Sequence, residues 1–310
     1  VQVGSDIQGE AAADWSGHSV SLSADGKTVA IGAPGNDDNG GSAGHTRIYV
    51  WDTEDSTWIQ QGNDIDGGAR GETSGRSVSL SADGLTVAIG ASSGAFGGGR
   101  GDLPGFTRIY SWDAESLVWL QKGNTIEGEA VEDHSGFSVS VSANGRTVAI
   151  GATGNDQNGL NSGHARVYSW NAENSIWLQD GNDIDGRVAG DLAGDSVALS
   201  GDARVLAIAS LRNSRDGHQL GHVRMYRLSY GGTSTVVDTI SVEVTNVNDV
   251  PAGSVIINGI VEEGKELRAT NDLADQDGLG AISYQWKRNG TEIEGAVADA
   301  YMLSQSDVGS

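Results

Sequence analysis

The chain writes nearly the same sixteen residues four times. SVSLSADGKTVAIGAP begins at Ser19, SVSLSADGLTVAIGAS at Ser77, SVSVSANGRTVAIGAT at Ser138, and a more divergent SVALSGDARVLAIASL at Ser196. The glycine preceding each copy falls at Gly17, Gly75, Gly136 and Gly194, so the steps are 75−17=58, 136−75=61 and 194−136=58 residues. A unit repeated at such a period cannot bury its own faces alone. Neighbouring copies must bury one another, as a ring or a stack.

Each unit reads as four strands. In SVSLS, Val20 and Leu22 share one face and the serines the other, a period of two. Asp25-Gly26 then turns the chain, because glycine accepts a positive φ without strain. The second strand, TVAIGA, is small at Ala30 and Gly32, as close packing requires; a loop rich in Gly, Asn and Asp leads to the third, TRIYVWD. The fourth, TWIQQGNDI, runs into the next unit. No segment shows helical periodicity. The expected class is all-β, a β-propeller of four-stranded blades.

The pairs Trp51/Trp58, Trp112/Trp119 and Trp170/Trp177 lie seven residues apart in each unit. They read as packing between blades, with a ligand platform as the alternative. The fourth unit loses the W-x-Q-x-G pattern, while Val1–Ile7 matches Ile59–Ile65. Counting strands, 12+3+1=16, so an N-terminal strand closing the last blade would complete four blades. The rival is a larger ring of which this is part.

Composition narrows the partners. Of 310 residues, 19 are Lys or Arg and 42 are Asp or Glu, a formal charge of -23. Such a surface repels phosphate backbones and anionic lipid, which argues against nucleic acid and against direct membrane insertion. The absence of cysteine removes disulfides and thiolate sites. The sequence does not open on Met and ends within an unfinished pattern, which suggests a piece of a longer protein.

Ser16-Gly17-His18-Ser19-Val20, the Asp25-Gly26 turn, Ala30-Ile31-Gly32-Ala33-Pro34 and Gly44-His45-Thr46-Arg47-Ile48-Tyr49-Val50 resemble the FG-GAP repeats of integrin α-chain propellers and many secreted bacterial proteins. The resemblance covers residues 1–230 and implies a propeller. Many members of that family carry a calcium loop between the first two strands. Here that turn holds a single carboxylate, too few oxygens for calcium. The next loop is the better candidate, with Asp37 and Asp38 in the first unit and Asp156 in the third. These residues also favour turns for their own sake.

Residues 231–252 read as a linker and a strand, TISVEV, whose exit VTNVNDVP resembles the last strand of cadherin-like domains. The resemblance implies calcium at Asn248 and Asp249. Residues 253–310 resemble the Ig-like modules of bacterial adhesins, through VEEGKEL, ADQDGLG and ISYQW. They imply a truncated, partial sandwich with Trp286 in its core. Asp275 and Asp277 could share an ion there.

No G-x-S-x-G, H-E-x-x-H or phosphate loop appears, and no base is seen beside a nucleophile, so the expectation is no enzyme. His45, His164 and His222 recur at one position, with Phe106 in the second unit, and read as structural hydrogen bonders. Arg100-Gly101-Asp102 forms an integrin-binding type tripeptide in a glycine-rich loop. The expectation that follows is an extracellular or cell-surface adhesion module with a calcium-stiffened stalk. It would display its loops to a protein or glycan on a cell or matrix surface. A glycan-binding or polysaccharide-acting propeller is the alternative, and a structural spacer a further one.

Overall fold

The computed structural model describes residues 1–92, 103–212, 221–228, 239–240, 253–273 and 282–307. The chain divides into two compact units, Val1–Glu243 and Val244–Ser310.

The first unit holds four antiparallel sheets, one per repeat. Sheet one contains β1 (Ser19–Leu22), β2 (Thr28–Ala33), β3 (His45–Asp52), β4 (Thr57–Gln60) and β5 (Ile65–Asp66), in the order β1-β2-β3-β4 with β5 also on β3. Sheet two repeats it with β6 (Ser74–Leu80), β7 (Thr86–Ala91), β8 (Phe106–Asp113), β9 (Val118–Gln121) and β10 (Ile126–Glu127). Sheet three does so with β11 (Ser135–Val141), β12 (Thr147–Ala152), β13 (His164–Asn171), β14 (Ile176–Gln179) and β15 (Ile184–Asp185). Sheet four has β16 (Ala193–Leu199), β17 (Val205–Ser210), β18 (His222–Arg227) and β19 (Thr239–Ile240).

The first hairpin forms as its residues dictate. Ser23 Oγ donates to Asp25 Oδ1 at 2.6 Å, and the same carboxylate accepts the Lys27 amide at 3.0 Å. An Asp after a Ser thus satisfies the turn locally and leaves Gly26, at φ 69°, to reverse the chain.

The repeated words fasten one sheet to the next. Ser19 Oγ donates to the Gly75 carbonyl at 2.8 Å, Ser77 to Gly136 at 2.9 Å and Ser138 to Gly194 at 2.8 Å. Ser21 accepts the Leu80 amide at 2.9 Å, and Ser79 accepts that of Val141 at 3.0 Å. A Cβ on Gly90 would lie 2.1 Å from the same Gly136 carbonyl, so only glycine allows the approach. The opposite face of the first strand carries the core in sheets two to four. Val78 and Leu80 cluster with Ala30 and Ile48 of sheet one, and Val139 and Val141 with Ala88 and Ile109 of sheet two.

The tryptophan pairs are cross-strand neighbours, with ring centroids 5.2, 5.5 and 5.4 Å apart in sheets one to three. Each pair receives a segment of the preceding unit: Trp119 Nε1 donates to the Gln61 carbonyl at 2.9 Å and Trp177 Nε1 to that of Lys122 at 2.7 Å. The residues that follow the SG steps also meet. Arg76 donates to His18 Nε2 at 2.9 Å and lies 4.1 Å over the Phe137 ring; burial lowers its pKa, and the charge of Asp195 opposes that in part. Residues of the first three repeats therefore meet here.

The expected closure by the N-terminal strand is corrected. Val1–Ile7 forms no strand; its Val3 carbonyl instead accepts Trp58 Nε1 of sheet one at 3.2 Å. It takes the slot that a preceding unit's segment would fill, which accounts for its match to Ile59–Ile65. Sheet four is extended by Thr239–Ile240, paired with Tyr226 and Met225, within the range expected to be linker and cadherin-like strand. Accordingly Val20 and Leu22 are 64% and 60% exposed, while Val78 and Leu80 are 8% and 7% exposed. The face that carries packing in the other sheets is open in sheet one.

In the second unit, β20 (Val255–Gly259), β21 (Glu266–Asn271) and β24 (Ala300–Met302) form a three-stranded sheet, and β22 (Lys287–Arg288) pairs with β23 (Thr291–Glu292). Trp286 stacks on Tyr301 with centroids 5.6 Å apart and remains half-buried, outside either sheet. No helix among the described residues is long and apolar enough to cross a membrane.

Candidate functional site

Side chains from three separate segments meet at the start of the third strand in sheets one and three. His45 opens β3 and is fully buried; its Nδ1 lies 3.6 Å from Glu10 Oε2 and 3.4 Å from Asp64 Oδ2. His164 is buried in the same way, with Nδ1 3.9 Å from Glu129 Oε2 and 3.6 Å from Asp183 Oδ2. Neither ring nitrogen of either histidine has a hydrogen-bond partner. The expectation of structural hydrogen bonders is therefore corrected: these rings face carboxylates and bond to nothing. Burial, and then the adjacent Arg166, push the pKa of His164 down to about 4, so it is neutral at ordinary pH and its lone pair is free. Burial, and then the charge of Asp183, hold the Glu129 carboxyl above its usual range.

A hydrogen-bonded scaffold holds both clusters. Gln60 Nε2 donates to Asp64 Oδ1 at 2.5 Å and Gln179 Nε2 to Asp183 Oδ1 at 2.6 Å. Arg47 Nη1 lies 3.5 Å from Glu10 Oε1 and Arg166 Nη1 4.0 Å from Glu129 Oε1. Each set of imidazole and two carboxylates can hold a metal ion.

Of the loop residues expected to bind an ion, Asp37 and Asp156 each use one carboxylate oxygen in a turn. Asp37 Oδ1 accepts the Ser42 amide at 2.6 Å and Asp156 Oδ1 the Asn161 amide at 2.7 Å, while Asp38 donates its amide to Asn36 Oδ1 at 3.1 Å. These are turn interactions, and none of the three belongs to the acid–histidine clusters. Asn248, Asp249, Asp275, Asp277 and the tripeptide Arg100, Gly101 and Asp102 lie outside the described residues. The missed residues are Glu10, Asp64, Glu129 and Asp183. Their signal was present, since the two glutamates sit seven residues before Gly17 and Gly136, and the two aspartates two residues after Gly62 and Gly181.

Beside the first cluster, a cleft of about 270 Å³ between sheets one and two is lined by Asn63, Asp64, Asp66, Tyr110, Val118 and Trp119. Burial, and then the charge of Asp64, hold the Asp66 carboxyl above its usual range. A larger cavity of about 500 Å³ lies on the outer hairpin of sheet one around Trp51, Asp52 and Gln60. Its Asp52 is occupied in the hairpin turn, accepting the Glu54 amide at 2.8 Å. The smaller cleft places Asp64 and Asp66 with the aromatic rings of Tyr110 and Trp119.

The FG-GAP repeat model matches residues 8–50 and 127–168, both within the repeats. No curated protein matches the sequence. Among solved structures, the chain is similar to hydrazine synthase of Kuenenia stuttgartiensis, at 12% identity and TM-score 0.45, covering 91% of this chain and 63% of that one. It is similar to the periplasmic gluconolactonase of Pseudomonas aeruginosa at 14% identity and TM-score 0.43, covering 82% and 65%. It also resembles the β-propeller domain of the Trilobed protease from Pyrococcus furiosus, described as having an open velcro topology, at 13% identity and TM-score 0.39, covering 82% and 69%. The chain thus spans less than two thirds of the length of the first two. Two of these three neighbours are themselves named as enzymes, and the structure brings carboxylates together around buried histidines. The expectation of no enzyme is withdrawn on both grounds. What the comparisons establish is an all-β chain that carries FG-GAP repeats and has β-propeller neighbours.

Proposed function

We propose that the repeat unit is a carbohydrate-handling propeller that binds, and can act on, a neutral polysaccharide in the cleft between its first two sheets. One observation carries the reading: Asp64 and Asp66 share a cleft with Tyr110 and Trp119. Carboxylates accept the hydroxyl hydrogen bonds of a sugar, and aromatic rings offer an apolar surface to its ring faces. Two neighbouring carboxyls, one of them with a raised pKa, also suit general acid–base work at a glycosidic bond. The formal charge of -23 disfavours anionic glycans, so a neutral polymer fits better. In this reading the chain works outside the cell, at a surface that displays the polymer, and attachment to that surface follows from binding.

Affinity electrophoresis through gels containing neutral or acidic polysaccharides tests this, with reducing-end release assayed in parallel. The wild-type chain is expected to be retarded by a neutral polymer, and Asp64→Asn with Asp66→Asn to weaken retardation at least about 10-fold, the loss of two charged hydrogen bonds. Free migration in every gel, or equal retardation of the variant, contradicts the proposal.

A further inference from the structure

The internal copies of the repeat supply their own comparison. Glu10, His45 and Asp64 of the first unit return as Glu129, His164 and Asp183 of the third. In the second unit the same three positions hold Gly68, Phe106 and Thr125. The neighbours that support them persist there: Arg108 stands where Arg47 and Arg166 do, and Gln121 where Gln60 and Gln179 do. Across the first three units, residues spaced 45−10=35 and 64−45=19 apart are kept together or lost together, while the fourth unit keeps its histidine, His222, without the glutamate. In the fourth unit Arg187 stands at the glutamate position beside His222, which would repel a cation.

From these observations we infer that the first and third sheets each bind one divalent transition-metal ion of the zinc class, and that the second sheet binds none. The inference does not rest on the carbohydrate reading. The side chains of His45 and His164 are 1% and 0% exposed, and both nitrogens of each lack hydrogen-bond partners, although Nδ1 of His45 faces two carboxylates and that of His164 three, the third being Asp185 Oδ1 at 3.9 Å. A buried imidazole pays for its desolvation unless something takes its lone pair. The edge of a tetrahedron around an ion with bonds of about 2.1 Å is roughly 3.4 Å; Asp64 stands at that distance from Nδ1, Glu10 and Asp183 at 3.6 Å, and Glu129, at 3.9 Å, must close in on the ion. An imidazole nitrogen among the ligands favours zinc-like ions over calcium, which takes oxygen.

The second layer fits as well. Gln60 and Gln179 engage the other oxygen of each aspartate, and Arg47 and Arg166 face the other oxygen of each glutamate, leaving Oδ2 and Oε2 turned to the histidine. Asn155 Nδ2 also reaches Glu129 Oε2, at 3.4 Å, and would yield that oxygen to the ion. Three protein ligands leave the fourth position to water.

The test is metal stoichiometry on the full chain, by equilibrium dialysis against zinc chloride at physiological salt, which screens the general acidity of the surface. Cobalt substitution reads the geometry by its visible absorption. The wild type is expected to hold two ions with tetrahedral cobalt bands, His45→Phe one, and His45→Phe with His164→Phe none. Phenylalanine at this position is the second unit's own residue, at Phe106. Should the phenylalanine variants fail to fold, the partly exposed Glu10→Gln and Glu129→Gln serve instead, each weakening one site by about 100-fold or more, beyond what loss of a supporting residue costs. Gly68→Glu with Phe106→His and Thr125→Asp is expected to create a third site. A wild-type chain that holds no zinc, or a folded double histidine variant that keeps both ions, overturns the inference.

Discussion

Ser77 Oγ donates to the carbonyl of Gly136 at 2.9 Å, across the boundary between sheets two and three. The same carbonyl forbids a side chain at Gly90, whose Cβ would lie 2.1 Å away. One backbone oxygen thus explains why both the serine of SVSLS and the glycine of VAIGA recur. Ser77→Ala should cost about 1 kcal/mol, the net worth of a hydrogen bond. Gly90→Ala should cost about 3 kcal/mol, because the oxygen is main chain and the sheets must part. Urea unfolding of the two variants checks this; equal losses would mean the junction is soft.

Trp177 and Trp58 make the same bond in very different surroundings. Trp177 is 3% exposed and its Nε1 donates to Lys122 at 2.7 Å, whereas the bond from Trp58 to Val3 is longer, at 3.2 Å, and exposed. Trp177→Phe leaves a part-buried carbonyl unpaired and should cost about 1.5 kcal/mol; Trp58→Phe leaves an exposed one that water reaches and should cost less than about 1 kcal/mol. Thermal melts of the two variants give the order, and the reverse order would contradict the packing described.

Asp37 is a turn residue here, its carboxylate accepting the Ser42 amide. Asp37→Ala should therefore lower stability by about 1 kcal/mol, the size of a lost local cap, and do so equally with EGTA or calcium present. A loss that appears only with calcium would restore the ion to this loop.

In the second unit, Asp307 accepts from the Ser304 amide and hydroxyl and from Arg288, and these bonds pull its carboxyl down to about 2. A carboxyl depressed in the folded state stabilises above its unfolded pKa, 3.8, and loses that contribution as pH falls through about 2. NMR titration of the side-chain carbon should give a midpoint near 2. A midpoint near 3.8 would show that Arg288 and Ser304 do not hold it.

Much of the repeat unit was legible in the primary structure. The alternation in SVSLS, the Asp-Gly turns and the paired tryptophans are local features with local causes, and they form the strands, hairpins and junctions expected of them. Ring closure was not legible, because the match of Val1–Ile7 to Ile59–Ile65 says which slot the segment suits but not which sheet offers the slot. Trp58 offers it, and sheet four takes Thr239–Ile240 instead. The acid–histidine clusters escaped for a related reason. His45 was visible as a repeated residue, but Asp64 joins it only when β3 and β5 pair, through His45 and Asp66, and Glu10 comes from the segment that precedes β1. The loop aspartates drew attention by density, and density there reflects turns.

The carbohydrate reading is tested most directly by hydrogen–deuterium exchange of the full chain with a neutral oligosaccharide taken from whichever polymer retards it. Protection is predicted in peptides covering Asn63–Asp66 and Val118–Trp119, which line the cleft, and not at Val50–Glu54, which lines the outer cavity. Protection confined to the outer cavity, or absent from every peptide while the oligosaccharide is bound, would contradict it.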